Sequence, residues 1–190
     1  MAVTLGCDDV IDRHGNAVWP PYPDRVIIPA PELHPGVVAL APLLGTWAGE
    51  GSGEYPTIRP FSYTEEITFG HAGKPFLTYV QRTRAADDSR PLHTETGYLR
   101  APTPNRIEWI LAHPTGITEI QQGQLLTDGE TLQMDLISTE IGRAESAKEV
   151  LAVGRSIEIH GDTLTYTLRM AAVGQPLQYH LSAVLRRVTD

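Results

Sequence analysis

The chain has 190 residues, 41% apolar and 20% charged, with 15 basic against 23 acidic side chains and a formal net charge of −8. That length suits one domain, alone or with a tail, and the acidic balance argues against nucleic acid, whose phosphates need a basic face. Cys7 is the only cysteine, which excludes an internal disulfide and any cysteine-ligated zinc or iron–sulfur centre. No apolar run approaches the ~20 residues of a membrane span. The opening MAVTLGCDDV has no apolar core of a secretory signal. A soluble, cytoplasmic protein is therefore expected, with no membrane partner.

In chain order, residues 1–34 lack sustained periodicity and carry Pro20, Pro21, Pro23, Pro29 and Pro31, so they read as an irregular, proline-rich arm. The stretch PGVVALAPLLG then offers Val37, Val38, Leu40, Leu43 and Leu44 for a helical turn or two, limited by Pro42 and ended by Gly45. From there the pattern has period 2. Candidate strands run near 46–51, 62–69, 76–84, 93–100, 106–113, 116–121, 123–127, 131–138, 150–159, 163–171 and 179–188. Turn residues separate them, as at Ala72-Gly73-Lys74-Pro75, Pro104-Asn105, Asp128-Gly129 and Gly161-Asp162. About ten short strands must hide their edges. An up-and-down antiparallel barrel over 35–190 does so with hairpins alone, a sandwich being the alternative. A barrel of this size can enclose one ligand.

The densest local signal is GTWAGEGSGEYPTI, residues 45–58. Trp47 opens a strand where its ring could plug a barrel end. Gly49, Gly51 and Gly53 leave one strand face bare, for a sharp bend or for close approach of a flat ligand. The histidines His14, His34, His71, His93, His113, His160 and His180 stand apart in sequence, with no HExxH and no visible two-histidine-plus-carboxylate cluster. A G-x-S-x-G elbow is absent as well, so covalent catalysis has no candidate. His180 opens the last strand. Alternation puts His180, Ser182 and Val184 on one face and Tyr179, Leu181, Ala183 and Leu185 on the other. If the first set faces inward, an imidazole projects into a cavity among small side chains; otherwise it is a surface histidine. A lone histidine holds a metal that brings its other ligands, as haem iron does.

Together these segments resemble the nitrobindin family of ferric haem proteins, small antiparallel barrels described as peroxynitrite isomerases. GTWAGEG matches the family's G-x-W-x-G-x-G signature at Gly45, Trp47, Gly49 and Gly51, and GEYPTI matches its continuation. SYTEEITFGHAGKPFLTY, PLHTETGYLR, PTGITEIQQG, AKEV and VGQPLQYHLSAVL are similar to family segments in the same order, from about His34 to Val188. The resemblance implies one haem b per chain, with His180 as axial ligand of the iron and Thr57 and Lys148 among the haem contacts. It places His71 near the pocket mouth, facing the ligand's open side. It also implies binding of nitric oxide and conversion of peroxynitrite to nitrate at ferric iron with no catalytic protein side chain; a homodimer is a further expectation for the chain. Two other readings stay open: a non-catalytic carrier or sensor of haem or nitric oxide, and a metal-free fatty-acid-type barrel. The last requires arginines such as Arg169 to turn inward and hold a carboxylate.

Overall fold

A computed structural model of the chain describes residues 31–128 and 131–189. Most of the expected N-terminal arm, with Cys7 and His14, lies outside the described residues, as does Gly129 of the Asp128-Gly129 turn.

Ten antiparallel strands close into a barrel. They are β1 (Gly45–Tyr55), β2 (Ile58–His71), β3 (Leu77–Ala85), β4 (Pro91–Thr103), β5 (Arg106–His113), β6 (Ile117–Asp128), β7 (Thr131–Arg143), β8 (Val150–His160), β9 (Thr163–Ala172) and β10 (Gln178–Arg187). Each strand pairs with its sequence neighbours, and β1 pairs with β10 to close the ring. No edge is left unpaired, which is the physical gain of closure. The sequence pattern divides 116–127 into two strands. The structure makes it one, β6, with a register irregularity between Ile120 and Gln121. Gly123 does not break it, because a Cβ there would lie 1.8 Å from the Asp135 carbonyl oxygen on β7. Close backbone approach, rather than a turn, explains that glycine.

The helical segment is a 3-10 helix, η1 (Pro35–Leu43), whose first turn is capped by His34 Nδ1 accepting from the Gly36 N–H at 3.0 Å. Pro42 sits in its last turn, and the helix ends at Leu43, just before Gly45. Val37, Leu40 and Leu43 are fully buried in the core. Trp47, also fully buried, donates from Nε1 to the Leu43 carbonyl at 2.8 Å. Arg187 lies 4.2 Å over the Trp47 ring and donates to the carbonyls of Pro42 and Leu44. Helix, indole and guanidinium thus close one end of the barrel, as expected of Trp47. At the opposite end β1 and β2 meet in the two-residue turn Pro56-Thr57, since Tyr55 pairs with Ile58.

Candidate functional site

The interior holds a cavity of about 740 Å³ that reaches the end of the barrel away from η1. That size falls in the range of cofactor pockets. Its walls are mostly apolar and aromatic, including Phe61, Phe69, Trp109, Leu168 and Met170.

His180 stands at the mouth, in the cavity wall. The alternation argument for it fails, and the reason is local. Leu181, Ala183 and Leu185 belong to the core, whereas Val184 is 54% exposed, so the histidine's alternation partners point outward. A bulge between Tyr179 and Leu181 shifts the register against β9 and inserts His180 as the extra residue. Bulges bend a strand and re-aim a side chain, and this one turns the imidazole to the mouth. Its Nδ1 lies 3.0 Å from the Glu54 carbonyl oxygen, which only accepts, so Nδ1 carries the proton and Nε2 keeps its lone pair. Burial lowers the imidazole pKa, the bond to Glu54 opposes this, and His93 adds to the lowering. The neutral form is the one that ligates metals.

Beside it, Tyr55 fastens β1 to β9. Its hydroxyl accepts from the Ala172 N–H at 2.9 Å and lies 3.2 Å from the carbonyls of Met170 and Ala172. The bare face of β1 is not open to a ligand. A Cβ on Gly51 would lie 2.3 Å from the Tyr63 ring, and one on Gly53 would lie 2.5 Å from Phe61 and 2.6 Å from Leu181. The protein's own aromatic rings fill the glycine stripe, and Tyr63 continues from there to hydrogen-bond Tyr166 at 2.8 Å.

The other expected site residues divide. Thr57 is exposed in the β1–β2 turn, three residues after the carbonyl that holds His180. Lys148 is exposed in the β7–β8 connection, which is tied to the β9–β10 turn by Val173 N–H donating to the Glu149 carbonyl at 3.1 Å. Both turns lie at the mouth. His71 does not. It ends β2 opposite Leu77, at the end closed by η1, and is not in the cavity wall. The 14 residues of β2 carry it the length of the barrel from the mouth.

A belt of buried polar residues crosses the cavity wall, and the sequence pattern did not single it out. Arg155 binds both carboxylate oxygens of Glu95, and Tyr79 donates to the same carboxylate at 2.7 Å. Gln121 donates to Glu119 at 2.5 Å, and Tyr166 to Glu65 at 2.9 Å, where Gln81 also donates. Two histidines far apart in sequence meet there, His93 Nε2 lying 3.2 Å from His113 Nδ1. A two-histidine cluster with carboxylates therefore exists, contrary to the reading of seven isolated histidines. Phase was the available signal: Glu65 shares parity with Tyr63, Ile67 and Phe69, and Arg155 with Val153, Ile157 and Ile159. Arg169 faces outward, 3.6 Å from Asp135, and the inward Arg155 is already paired with Glu95, so Arg169 does not turn inward as the fatty-acid reading requires.

Charge within the belt is uneven. Burial alone would raise Glu95, but Arg155, aided by His93 and His113, holds it well below the usual carboxylate range. Glu119 is likewise lowered against its burial, by His113, Arg155 and Gln121. Glu65 lacks such a cation in contact. Burial pushes its carboxyl up to about 7 despite hydrogen bonds from Gln81 and Tyr166.

Residues 36–187 match the family model described as the THAP4-like, heme-binding beta-barrel domain. The chain is 65% identical over 160 residues to a peroxynitrite isomerase of Nocardia farcinica, covering 84% of this chain and 95% of that protein. It is 60% identical over 156 residues to peroxynitrite isomerase 2 of Mycobacterium avium, covering 82% and 97%. The crystal structure of Rv2717c from M. tuberculosis superposes with a TM-score of 0.81 at 56% identity, over 83% of this chain and 100% of that one. The family model runs from η1 to the last residue of β10, and the M. tuberculosis structure carries the same fold. This chain belongs to the THAP4-like, heme-binding β-barrel family, the nitrobindins.

Proposed function

We propose that this chain binds one haem b at the barrel mouth through His180, isomerises peroxynitrite to nitrate, and takes nitric oxide at the same site. The observation that carries the reading is the bulge at His180. It presents an imidazole whose Nδ1 is committed to Glu54 and whose Nε2 is unbonded among the described residues, at the rim of an aromatic-walled cavity. A planar macrocycle bringing four ligands of its own needs one such nitrogen and apolar walls to lie against, so the residues present fit the group.

Haem held there by His180 would supply a ferric iron suited to the O–O bond rearrangement of the peroxynitrite anion. The protein's part is to hold and to exclude. The Glu54 carbonyl fixes the tautomer of His180, and Tyr55 meets the imidazole from the side at 5.2 Å between ring centroids. The Thr57 hydroxyl and the Lys148 ammonium, both at the rim, suit the two propionates. The apolar part of the wall, with Phe61, Leu168 and Met170, gives a flat macrocycle a surface to lie against. No protein nucleophile is required, in keeping with the site's lack of an activated serine or cysteine among the described residues. Relatives named peroxynitrite isomerases at 60% and 65% identity support the substrate. A cytoplasmic setting, expected from the composition, is part of the proposal.

Reconstitution with hemin tests it. The loaded protein should show a Soret band that His180→Ala abolishes or displaces, and should speed peroxynitrite decay to nitrate beyond free hemin at equal concentration. A band unchanged in His180→Ala would overturn the ligand. A rate equal to that of free hemin would leave a carrier or sensor instead.

A further inference from the structure

We propose that His93, Glu95 and His113 form a second metal site, for a divalent cation of the zinc class, in the wall of the same cavity. None of these residues is among the haem contacts proposed above, although they share the cavity wall with His180. His93 and Glu95 share the inward face of β4. The register that sets Thr96 opposite Ala112 brings Glu95 level with His113 at the end of β5. Three donor atoms converge there. His93 Nε2 and His113 Nδ1 are 3.2 Å apart, His113 Nδ1 and Glu95 Oε2 are 3.2 Å apart, and His93 Nε2 and Glu95 Oε2 are 3.8 Å apart. A tetrahedral zinc with nitrogen and oxygen ligands at about 2.0–2.2 Å has ligand-to-ligand edges of about 3.3–3.6 Å. The triangle has nearly the size of one face of that tetrahedron, and all three residues line the cavity, from which water can supply the fourth ligand.

Chemistry and charge agree with the distances. Two imidazoles and a carboxylate are a donor set that zinc accepts. A carboxylate and a ring nitrogen 3.2 Å apart repel unless a proton or a cation lies between them. With Glu95 and Glu119 both held as carboxylates, the lone buried cation Arg155 leaves one negative charge in excess among the described groups of the belt. Buried charge of that kind requires a partner. A divalent cation supplies one. Glu95 Oε2 keeps a lone pair beyond its bond to Arg155 Nη2 at 2.9 Å, so the guanidinium and the metal can share the carboxylate.

His113 gives an independent sign. Its ring is 8% exposed, and its Nε2 has no hydrogen-bond partner, although Glu119 Oε1 lies 3.0 Å away, out of line with the N–H. A metal at Nδ1 would fix the tautomer with the proton on Nε2. A small turn of the ring would then direct it at Glu119, the carboxylate–histidine–metal arrangement that orients ligands in zinc sites. The competing occupant is a proton, which would make His113 an imidazolium between two carboxylates.

Equilibrium dialysis of the full-length, haem-loaded chain against Zn2+, followed by metal analysis, decides between them. We expect one zinc per chain, with affinity reduced on the order of 100-fold or more in His113→Gln and in His93→Gln. Zinc should also raise the melting temperature of the parent chain but not of either variant, while an unchanged far-UV spectrum shows that the variants fold. His180→Ala, which removes the haem ligand, should bind zinc as the parent does. Absence of stoichiometric zinc, or binding unchanged in both glutamine variants, would overturn the site. Loss of zinc in His180→Ala alone would overturn it too, by assigning the metal to the haem ligand.

Discussion

Tyr55 and His180 meet edge to face, 5.2 Å between ring centroids and 65° between planes, where the first and last strands of the barrel join. The tyrosine is fixed by backbone groups of a third strand, β9, through its hydroxyl. The side chain beside the imidazole is thus anchored independently of the strand that carries it. Tyr55→Phe should keep the ring contact but strand the buried Ala172 N–H, costing about 1–3 kcal/mol of stability. Hemin affinity should change little. Tyr55→Leu should lose both, and hemin titration beside urea denaturation separates the two effects.

The bulge makes the proposed haem ligand a matter of register. Deleting Tyr179 should let β10 pair with β9 without an extra residue, which returns His180 to the outward face occupied by Ser182 and Val184. The expected variant folds, with a far-UV spectrum like the parent's, and gives no Soret band with hemin. A retained band would mean that the rim, rather than the bulge, aims the imidazole.

Glu65 gives the barrel a pH dependence. Below its ordinary pKa of 4.5 the carboxyl is protonated in both folded and unfolded chains and contributes no difference. Between there and about 7 the unfolded chain releases a proton that the folded chain keeps. Stability therefore falls as pH rises through this window, by about 3 kcal/mol at most, and stays at the lower level above it. Glu95 and Glu119 are shifted the other way, so their stabilisation is present above the ordinary carboxylate pKa and is lost at lower pH. Glu65→Gln should flatten the decline between pH 5 and pH 8, as read by urea denaturation of the haem-free chain.

Breaking the buried Arg155–Glu95 pair by removing one partner should be costly. Arg155→Met leaves a buried carboxylate without its cation and should destabilise by about 3–5 kcal/mol. Adding Glu95→Gln should recover much of that loss. Equal destabilisation in the single and double variants would show that guanidinium packing on Trp109, 5.1 Å from the ring centroid, matters more than charge.

Gly51→Ala tests the role found for the signature glycines. Its methyl group would enter the Tyr63 ring, and the tyrosine cannot withdraw without giving up its bonds to Tyr166 and to the Ser182 carbonyl. A loss of about 1–3 kcal/mol is expected from such overpacking, measurable as a lower urea midpoint.

Much of the barrel was legible in the sequence because period-2 alternation and turn residues are local. Trp47, the helical segment before it and the strand order needed nothing further. What escaped was non-local or phase-dependent. The bulge at His180 breaks the alternation used to orient that strand, so the case for His180 as ligand came from the family resemblance and not from facing. His93 and His113 are 20 residues apart and meet only through the β4–β5 register. The family resemblance placed His71 at the mouth through the look of its turn, yet turns occur at both ends of a barrel. Which end cannot be settled by composition; counting strands from the helix settles it.

The seal made by η1, Trp47 and Arg187 has a kinetic meaning. In the described barrel whatever reaches the interior arrives and departs by one doorway, so each path out is a path in run backwards. A substitution at the rim that merely widens the passage must speed both directions by the same factor. It alters how long a guest stays while leaving the fraction of barrels occupied unchanged.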